Sequence, residues 1–442
     1  MSGIDLLPYI DAVSTIDPLK VYGKVVEITG IIIKATGIRA SIGESCKIFP
    51  DNTSSVDAEV VGFRDGKVLL MAVGDLAGIK LGSRVLPVSK KVSVKVSPSL
   101  MGRVINDTGD PLDGKGPVRG IDCPLFSTTP NPLRRQRISH PIDLGIRALN
   151  GLLTCGKGQR IGIMSGSGVG KSILLGMVAR YSEASINVIG LIGERGREVR
   201  EFIEKDLGED GIKKSIVVVS TSEQPPLAKV RGALAATAIA EYFRNRGENV
   251  LLLMDSLTRV AQAQREIGLA IGEPPTSKGY TPSVFALLPK LLERVGTSEK
   301  SGSITGIYTV LVEGDDLSEP IADAARAVLD GHIVLSRELA TENHYPSIDV
   351  LQSISRVMPD IVDARHQEYA SKFIEILATY KKFEDLINLG AYKEGANQKV
   401  DYALKMMDRL RKYLKQDISE RCDIADSIQD LYLTFEETGI RQ

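Results

Sequence analysis

Eight residues carry the clearest chemistry in this chain of 442: SGSGVGKS, from Ser165 to Ser172. They follow an apolar run, RIGIM, and open a helical pattern, KSILLGMVAR, which is the strand, loop and helix setting that a phosphate-binding loop requires. Gly166, Ser167, Gly168, Val169 and Gly170 form the turn whose backbone amides face phosphate oxygens. Lys171 reaches the β and γ phosphates of a nucleoside triphosphate, and the Ser172 hydroxyl offers an oxygen to Mg²⁺. The usual pattern begins with glycine, and Ser165 stands in that place. Further on, NVLLLMD ends in Asp255. An acidic residue closing a buried strand also reads as a solvated strand end or a helix cap, but with the loop upstream it reads as the aspartate that holds the water shell of Mg²⁺. Between the two, INVIGLIGERGREV ends a third apolar run with Glu194 and Arg195. Ligands of open α/β sheets sit outside the carboxyl ends of the strands, so Glu194 could polarise an attacking water and Arg195 could sense the γ phosphate. The same pair reads equally as a charged helix start with i,i+4 partners, and spacing alone does not choose.

The elements that must position these residues follow from the patterning. Residues 21–97 are short Val- and Ile-rich runs broken by Gly and Asp, such as VDAEVVGF, KVLLMAV and KVSVKVS, which read as a small antiparallel barrel or sandwich. From Pro98 to Pro141 the text is dense in Gly, Pro and Asp and reads as a loop-rich connector. From about Gly145, apolar strands alternate with helices, the pattern of a mostly parallel sheet covered on both faces. After Asp363 the apolar residues fall at three- and four-residue spacing, giving a helical domain. The boundaries are then 1–20 for an N-terminal segment, 21–97, 98–364 and 365–442.

Composition excludes several classes. A formal net charge of −1 gives no general attraction to polyanions, so nucleic acid is not expected as a partner. Four scattered cysteines, Cys46, Cys123, Cys155 and Cys422, suit neither a disulfide framework nor a zinc site. His140, His332, His344 and His366 are equally dispersed and read as structural. No stretch approaches the roughly 20 apolar residues of a membrane span, so membrane association would be peripheral.

Taken together, SGSGVGKS, GERGREV, LLLMD and PSIDVLQSIS (Pro346 to Ser355) resemble the hexameric ATPases related to the catalytic subunit of rotary ATP synthases. The likeness spans essentially the whole chain. The segments TSEQPPLAKVRGALAATAIAEYFR, GYTPSVFALLPKLLERVG and EGDDLSEPIADAARAVLDGHIVLSREL look most similar to the flagellar protein-export branch. That resemblance implies an N-terminal β barrel, a central RecA-like P-loop domain with a mostly parallel sheet and a C-terminal helical domain, with ATP as substrate and Mg²⁺ as cofactor. It implies Glu194 as the catalytic glutamate and Arg195 as its γ-phosphate neighbour. Tyr345 would stack on adenine, and Arg356 would be an arginine finger reaching a neighbouring subunit's nucleotide. It further implies a homohexamer, cytoplasmic and peripheral to the inner membrane at the flagellar base. Its partners would be a regulatory protein held by the first twenty residues, a coiled-coil stalk-like export protein, chaperones with their substrates, and a membrane export gate. An injectisome ATPase shares these motifs. A rotary synthase subunit and an RNA-dependent ring ATPase are the more distant alternatives, as is an assembly protein with a silent site.

Overall fold

The computed structural model describes residues 20–51 and 54–436. The expected partner-binding segment, residues 1–20, lies outside them except for Lys20. The chain divides into two compact units, one built on residues up to Val92 together with Leu269–Glu273, the other holding the remainder.

In the first unit six antiparallel strands, Gly23–Thr29, Ile32–Thr36, Glu44–Phe49, Val56–Arg64, Lys67–Ala72 and Arg84–Lys91, close into a barrel in the order first, second, fifth, fourth, third, sixth. Closure leaves no edge to pair with other chains. Side chains alternate across each strand, and of the inward set Val25, Ile33, Cys46, Ile48, Val60, Leu70 and Val85 are each at most 2% exposed. The hairpin between the fourth and fifth strands turns on Asp65 and Gly66, both at positive φ (50° and 68°), the conformation that favours Asp-Gly in a two-residue turn.

The second unit is a nine-stranded sheet. Its strands run side by side in the order Ile348–Ser355, Gly331–Leu335, Arg160–Ser165, Ser303–Leu311, Asn249–Asp255, Ile186–Ile192, Ser215–Ser220 and Val104–Asn106. A short strand, Gly296–Thr297, lies antiparallel to Ser303–Leu311. All other pairings are parallel except that of the edge strand Ile348–Ser355 with Gly331–Leu335. Ile186–Ile192 and Ser215–Ser220 are buried at every position, because helices cover both faces; hence these strands read as continuous apolar runs.

The connector is less loop-like than its composition suggests. Val104–Asn106 joins the main sheet beside Ser215–Ser220. Ser93–Val96, which reads in sequence as part of the barrel, pairs instead with Ile121–Pro124 in a two-stranded sheet. Strands of three or four residues are too short to show a period. The connector is also tied by charge. Arg103 grips Asp113 at 2.7 Å, and Ser127 reaches a buried Glu241 that is held bidentately by Arg294.

Helices Ala364–Asn388, Gln398–Leu414 and Ile424–Glu436 complete the unit. The first two start under side-chain caps from Asp363 and Asn397. Phe373, Met406, Leu410 and Tyr413 share one continuous core with Leu149 and Ile163, so the helices are packed onto the sheet domain by apolar burial. No helix among the described residues is long and apolar enough to cross a membrane.

Candidate active site

The strand register brings the chemistry to one edge. Ser165 pairs with Leu311, Met254 with Tyr308, and Leu191 with Asp255, so the carboxyl ends of four adjacent strands lie level. From Ser165 the chain enters the loop, and the helix Lys171–Tyr181 begins at Gly170. Gly168 and Gly170 have φ of 77° and 89°, which explains glycine at both; Gly166 is not in that region. A Cβ on Gly168 would meet nothing within 4 Å, whereas one on Gly170 would lie 3.3 Å from the Tyr345 ring. Val169 is buried, and its carbonyl accepts from the Ser347 hydroxyl at 2.6 Å, anchoring the loop to the segment that carries Tyr345. Ser167 and Ser172 are exposed.

Lys171 bridges the two expected carboxylates. Its Nζ donates to Asp255 Oδ1 at 2.6 Å and to Glu194 Oε1 at 3.3 Å. The three side chains are 12%, 6% and 15% exposed. Burial alone would lower the lysine's pKa, but the two carboxylates outweigh it and hold the ammonium charged. Burial, then the Asp255 charge, push Glu194 up to about 7. Glu198, half exposed and hydrogen-bonded to Glu194, moves down as the partner that stays ionised. Arg195 is not part of this cluster: its side chain is 81% exposed and lies 3.8 Å from Glu198.

Tyr345 and Pro346 wall a cavity of about 370 Å³ beside Gly170 and Met177, closed on the far side by Gln416, Asp417 and Ile418. Gln416 is the joint. Its backbone N–H donates to the Tyr345 carbonyl at 3.0 Å, its Nε2 to the carbonyls of Gly145 and Glu420, and its Oε1 accepts from the Arg147 N–H. A largely apolar slot walled by a tyrosine beside a phosphate loop suits a purine base.

Arg356 is placed elsewhere. Ile348 pairs with Leu335 and Ser355 with Gly331, and Leu335 is level with Ser165. Arg356 therefore lies beyond the amino end of Gly331–Leu335, level with Asp330, about 16 Å below the level of the loop at the strand rise and about 10 Å across two strand spacings. Its backbone N–H meets the Asp330 carbonyl and its Nη2 the Arg326 carbonyl. That separation exceeds the reach of an arginine side chain toward its own chain's phosphate loop.

Three family descriptions match the chain: the ATP synthase alpha/beta family beta-barrel domain over residues 25–88, the nucleotide-binding domain of the same family over 145–355, and the T3SS EscN ATPase C-terminal domain over 362–432. The Flagellum-specific ATP synthase of Bacillus subtilis is 53% identical over 96% of this chain and 97% of its own length. The Type 3 secretion system ATPase of Xanthomonas euvesicatoria is 50% identical over 89% and 90%. The chain belongs to the type III export ATPase family. The assembled ATPase EscN of enteropathogenic E. coli superimposes with a TM-score of 0.89 at 44% identity, covering 93% of this chain and 99% of EscN; EscN in complex with its central stalk EscO gives 0.86. As a member of that family the chain is a P-loop ATPase.

Geometry adds site residues of this export ATPase that the motifs did not reveal. The Thr309 hydroxyl donates to Asp255 Oδ1 at 2.6 Å, fixing the carboxylate from the neighbouring strand. Arg259 packs across Gly193, where a Cβ would stand 2.7 Å from that side chain. A polar residue inside an apolar strand was the available signal for Thr309, and an arginine one helical turn after Asp255 for Arg259. Gln416, 71 residues beyond Tyr345, carried none. The histidines take structural places: His366 is buried against the Gly151 carbonyl and His344 is buried beside Tyr345. The four cysteines are free.

Proposed function

We propose that this ATPase works as a ring of six identical chains in which each nucleotide site is completed by Arg356 of the next chain. The observation that carries the reading is the split between Lys171, Glu194 and Asp255, gathered at one edge of the sheet, and Arg356 at the other end. A finger so placed serves only a neighbour. Because every chain carries both halves, a closed ring with head-to-tail contacts completes every site. The finger would stabilise charge on the transferred phosphoryl group, worth about 10³ to 10⁵ in rate.

Within one chain the roles follow from position. The backbone from Gly166 to Gly170 cradles the phosphates. Lys171, which bridges two carboxylates here, turns to the β and γ phosphates when ATP enters. Glu194 is then released to hold and polarise the attacking water, taking its proton as general base. Arg195, exposed at the strand end, is free to swing toward the γ phosphate. Tyr345 stacks on adenine against the Gln416 wall. For Mg²⁺ the donor set fits: an exposed Ser172 hydroxyl and the Asp255 carboxylate are hard oxygen donors, and no cluster of three metal-binding side chains exists among the described residues to hold a bare ion. Mg²⁺ habitually keeps water and phosphate oxygens as its remaining ligands. When bound it would neutralise charge on the phosphates.

The work driven is flagellar protein export, with release of chaperones and unloading of substrates at a membrane gate, the ring lying in the cytoplasm against the inner membrane. A central stalk protein would sit in the ring, and a regulatory partner would take residues 1–20. Support comes from the flagellar relative; the Xanthomonas relative supports injectisome secretion as the second reading, and deletion in the source bacterium separates them by loss of filaments or of effector secretion. The ring itself is tested by turnover per chain against protein concentration, with oligomer mass measured in parallel. Turnover should rise with the mass of six chains. Full turnover by a monomer would refute the shared site.

A further inference from the structure

A second cavity, of about 580 Å³, opens beyond the start of the phosphate loop, with Ser165, Gly166 and Ser167 in its wall. Lys171, Glu194 and Asp255 do not line it. Arg259, Arg265, Lys278 and Arg337 do, together with Glu313 and Glu319. Lys278 is neutralised locally, 3.7 Å from Glu319 and 4.0 Å from Asp316. The contacts of Arg259 and Arg265 are uncharged: Arg259 Nη1 donates to Gln262 at 3.0 Å, and the Arg265 guanidinium lies 5.1 Å from the centre of the Tyr280 ring. Two guanidinium groups thus face the cavity with charge to spare.

Ser165 supplies the second observation. It is 0% exposed, and its hydroxyl finds no hydrogen-bond partner among the described residues. An unmet buried hydroxyl costs free energy that glycine, usual at this position of the loop, would not incur. A ligand oxygen in the cavity removes that cost. The cavity is also next to the chemistry, since the stem of Arg259 packs over Gly193, the residue before Glu194. Arg259 is a wall shared by the two spaces.

We propose that this cavity is a second oxyanion site, which receives the orthophosphate cut from ATP and holds it by Arg265, Arg259 and the Ser165 hydroxyl. The inference rests on the hydrolysis reading above. Phosphate left in the γ position would face the β phosphate of ADP and the Glu194 carboxylate, all of one sign. Arginines with planar, multiple N–H donors, a few ångströms farther on, offer it charge-assisted hydrogen bonds instead. Product phosphate then leaves the γ position before it leaves the protein, and added phosphate inhibits turnover without displacing ATP.

The test is calorimetric titration of inorganic phosphate into the full chain saturated with Mg²⁺ and the non-hydrolysable analogue AMP-PNP, which fills the γ position. Wild type should still bind about one phosphate per chain. Arg265→Ala should weaken phosphate about tenfold or more while AMP-PNP affinity stays within about twofold, and Ser165→Gly should weaken phosphate several-fold, the losses expected of charged and neutral donors. Should Arg265→Ala not fold, Ser165→Gly, which removes only a hydroxymethyl group, carries the comparison. Abolition of phosphate binding by AMP-PNP in wild type overturns the inference, as does unchanged phosphate affinity in the variants. Failure of the underlying reading is distinguishable, because wild type would then neither bind AMP-PNP nor turn over ATP.

Discussion

The raised pKa of Glu194 makes a quantitative prediction about the acid side of the pH profile. A general base must be ionised, and a carboxyl pushed up to about 7 is about nine-tenths ionised at pH 8 and about one-tenth at pH 6. kcat/KM reports the free enzyme, so in excess Mg²⁺ it should fall about tenfold between those values. A glutamate near its ordinary value of about 4.3 would lose only a few per cent over the same interval. The perturbation that assigns the limb is Glu198→Gln. Glu198 shares a hydrogen bond with Glu194 and helps to keep it protonated. A glutamine amide donates to the ionised carboxylate and carries no charge, so Glu194 should ionise more easily. The limb should then move to lower pH by about half a unit or more, roughly 0.7 kcal/mol. ATP ionisation would give the same limb in both proteins. A flat kcat/KM from pH 8 to 6, or limbs that coincide in wild type and variant, would refute the placing of Glu194 as the base.

Other consequences are local. Tyr345→Ala should raise KM for ATP about tenfold with little change in kcat, as removal of about 1 to 1.5 kcal/mol of stacking predicts; an unchanged KM would take adenine out of this slot. Gln416→Ala removes three side-chain hydrogen bonds at a residue 5% exposed, and should lower stability in urea unfolding by about 2 to 3 kcal/mol while raising KM, since the wall facing Tyr345 loosens. Arg294→Ala strands Glu241, and should cost about 3 to 5 kcal/mol in the same unfolding experiment. KM should not follow, because the pair lies away from the nucleotide cavity.

How much of this was legible beforehand depended on whether neighbours in space were neighbours in sequence. The phosphate loop and the strand ends at Glu194 and Asp255 are local signals, each an apolar run followed by a polar residue, and a parallel sheet can only set them level. Thr309 acts across the sheet, and only its polarity inside an apolar strand marks it; Gln416 reaches in from the C-terminal helices, and nothing within its own segment marks it. The connector misled because Pro and Gly density hid strands of three or four residues. The edge strand Ile348–Ser355 reads as one more apolar run, yet it turns antiparallel and bulges between the pairs Val334 with Asp349 and His332 with Ile354. That reversal carries Arg356 to the wrong end of the sheet for its own nucleotide, and no residue spacing announces it.

The shared site is tested most directly by complementation. Glu194→Gln and Arg356→Ala chains should each assemble, bind ATP and hydrolyse it poorly. In rings formed from equal amounts of the two, about a quarter of the head-to-tail interfaces join an intact Glu194 to an intact Arg356, so about a quarter of wild-type turnover should return. Mixed rings demonstrated by mass, with turnover no higher than that of either variant alone, would contradict an arginine supplied by the neighbouring chain.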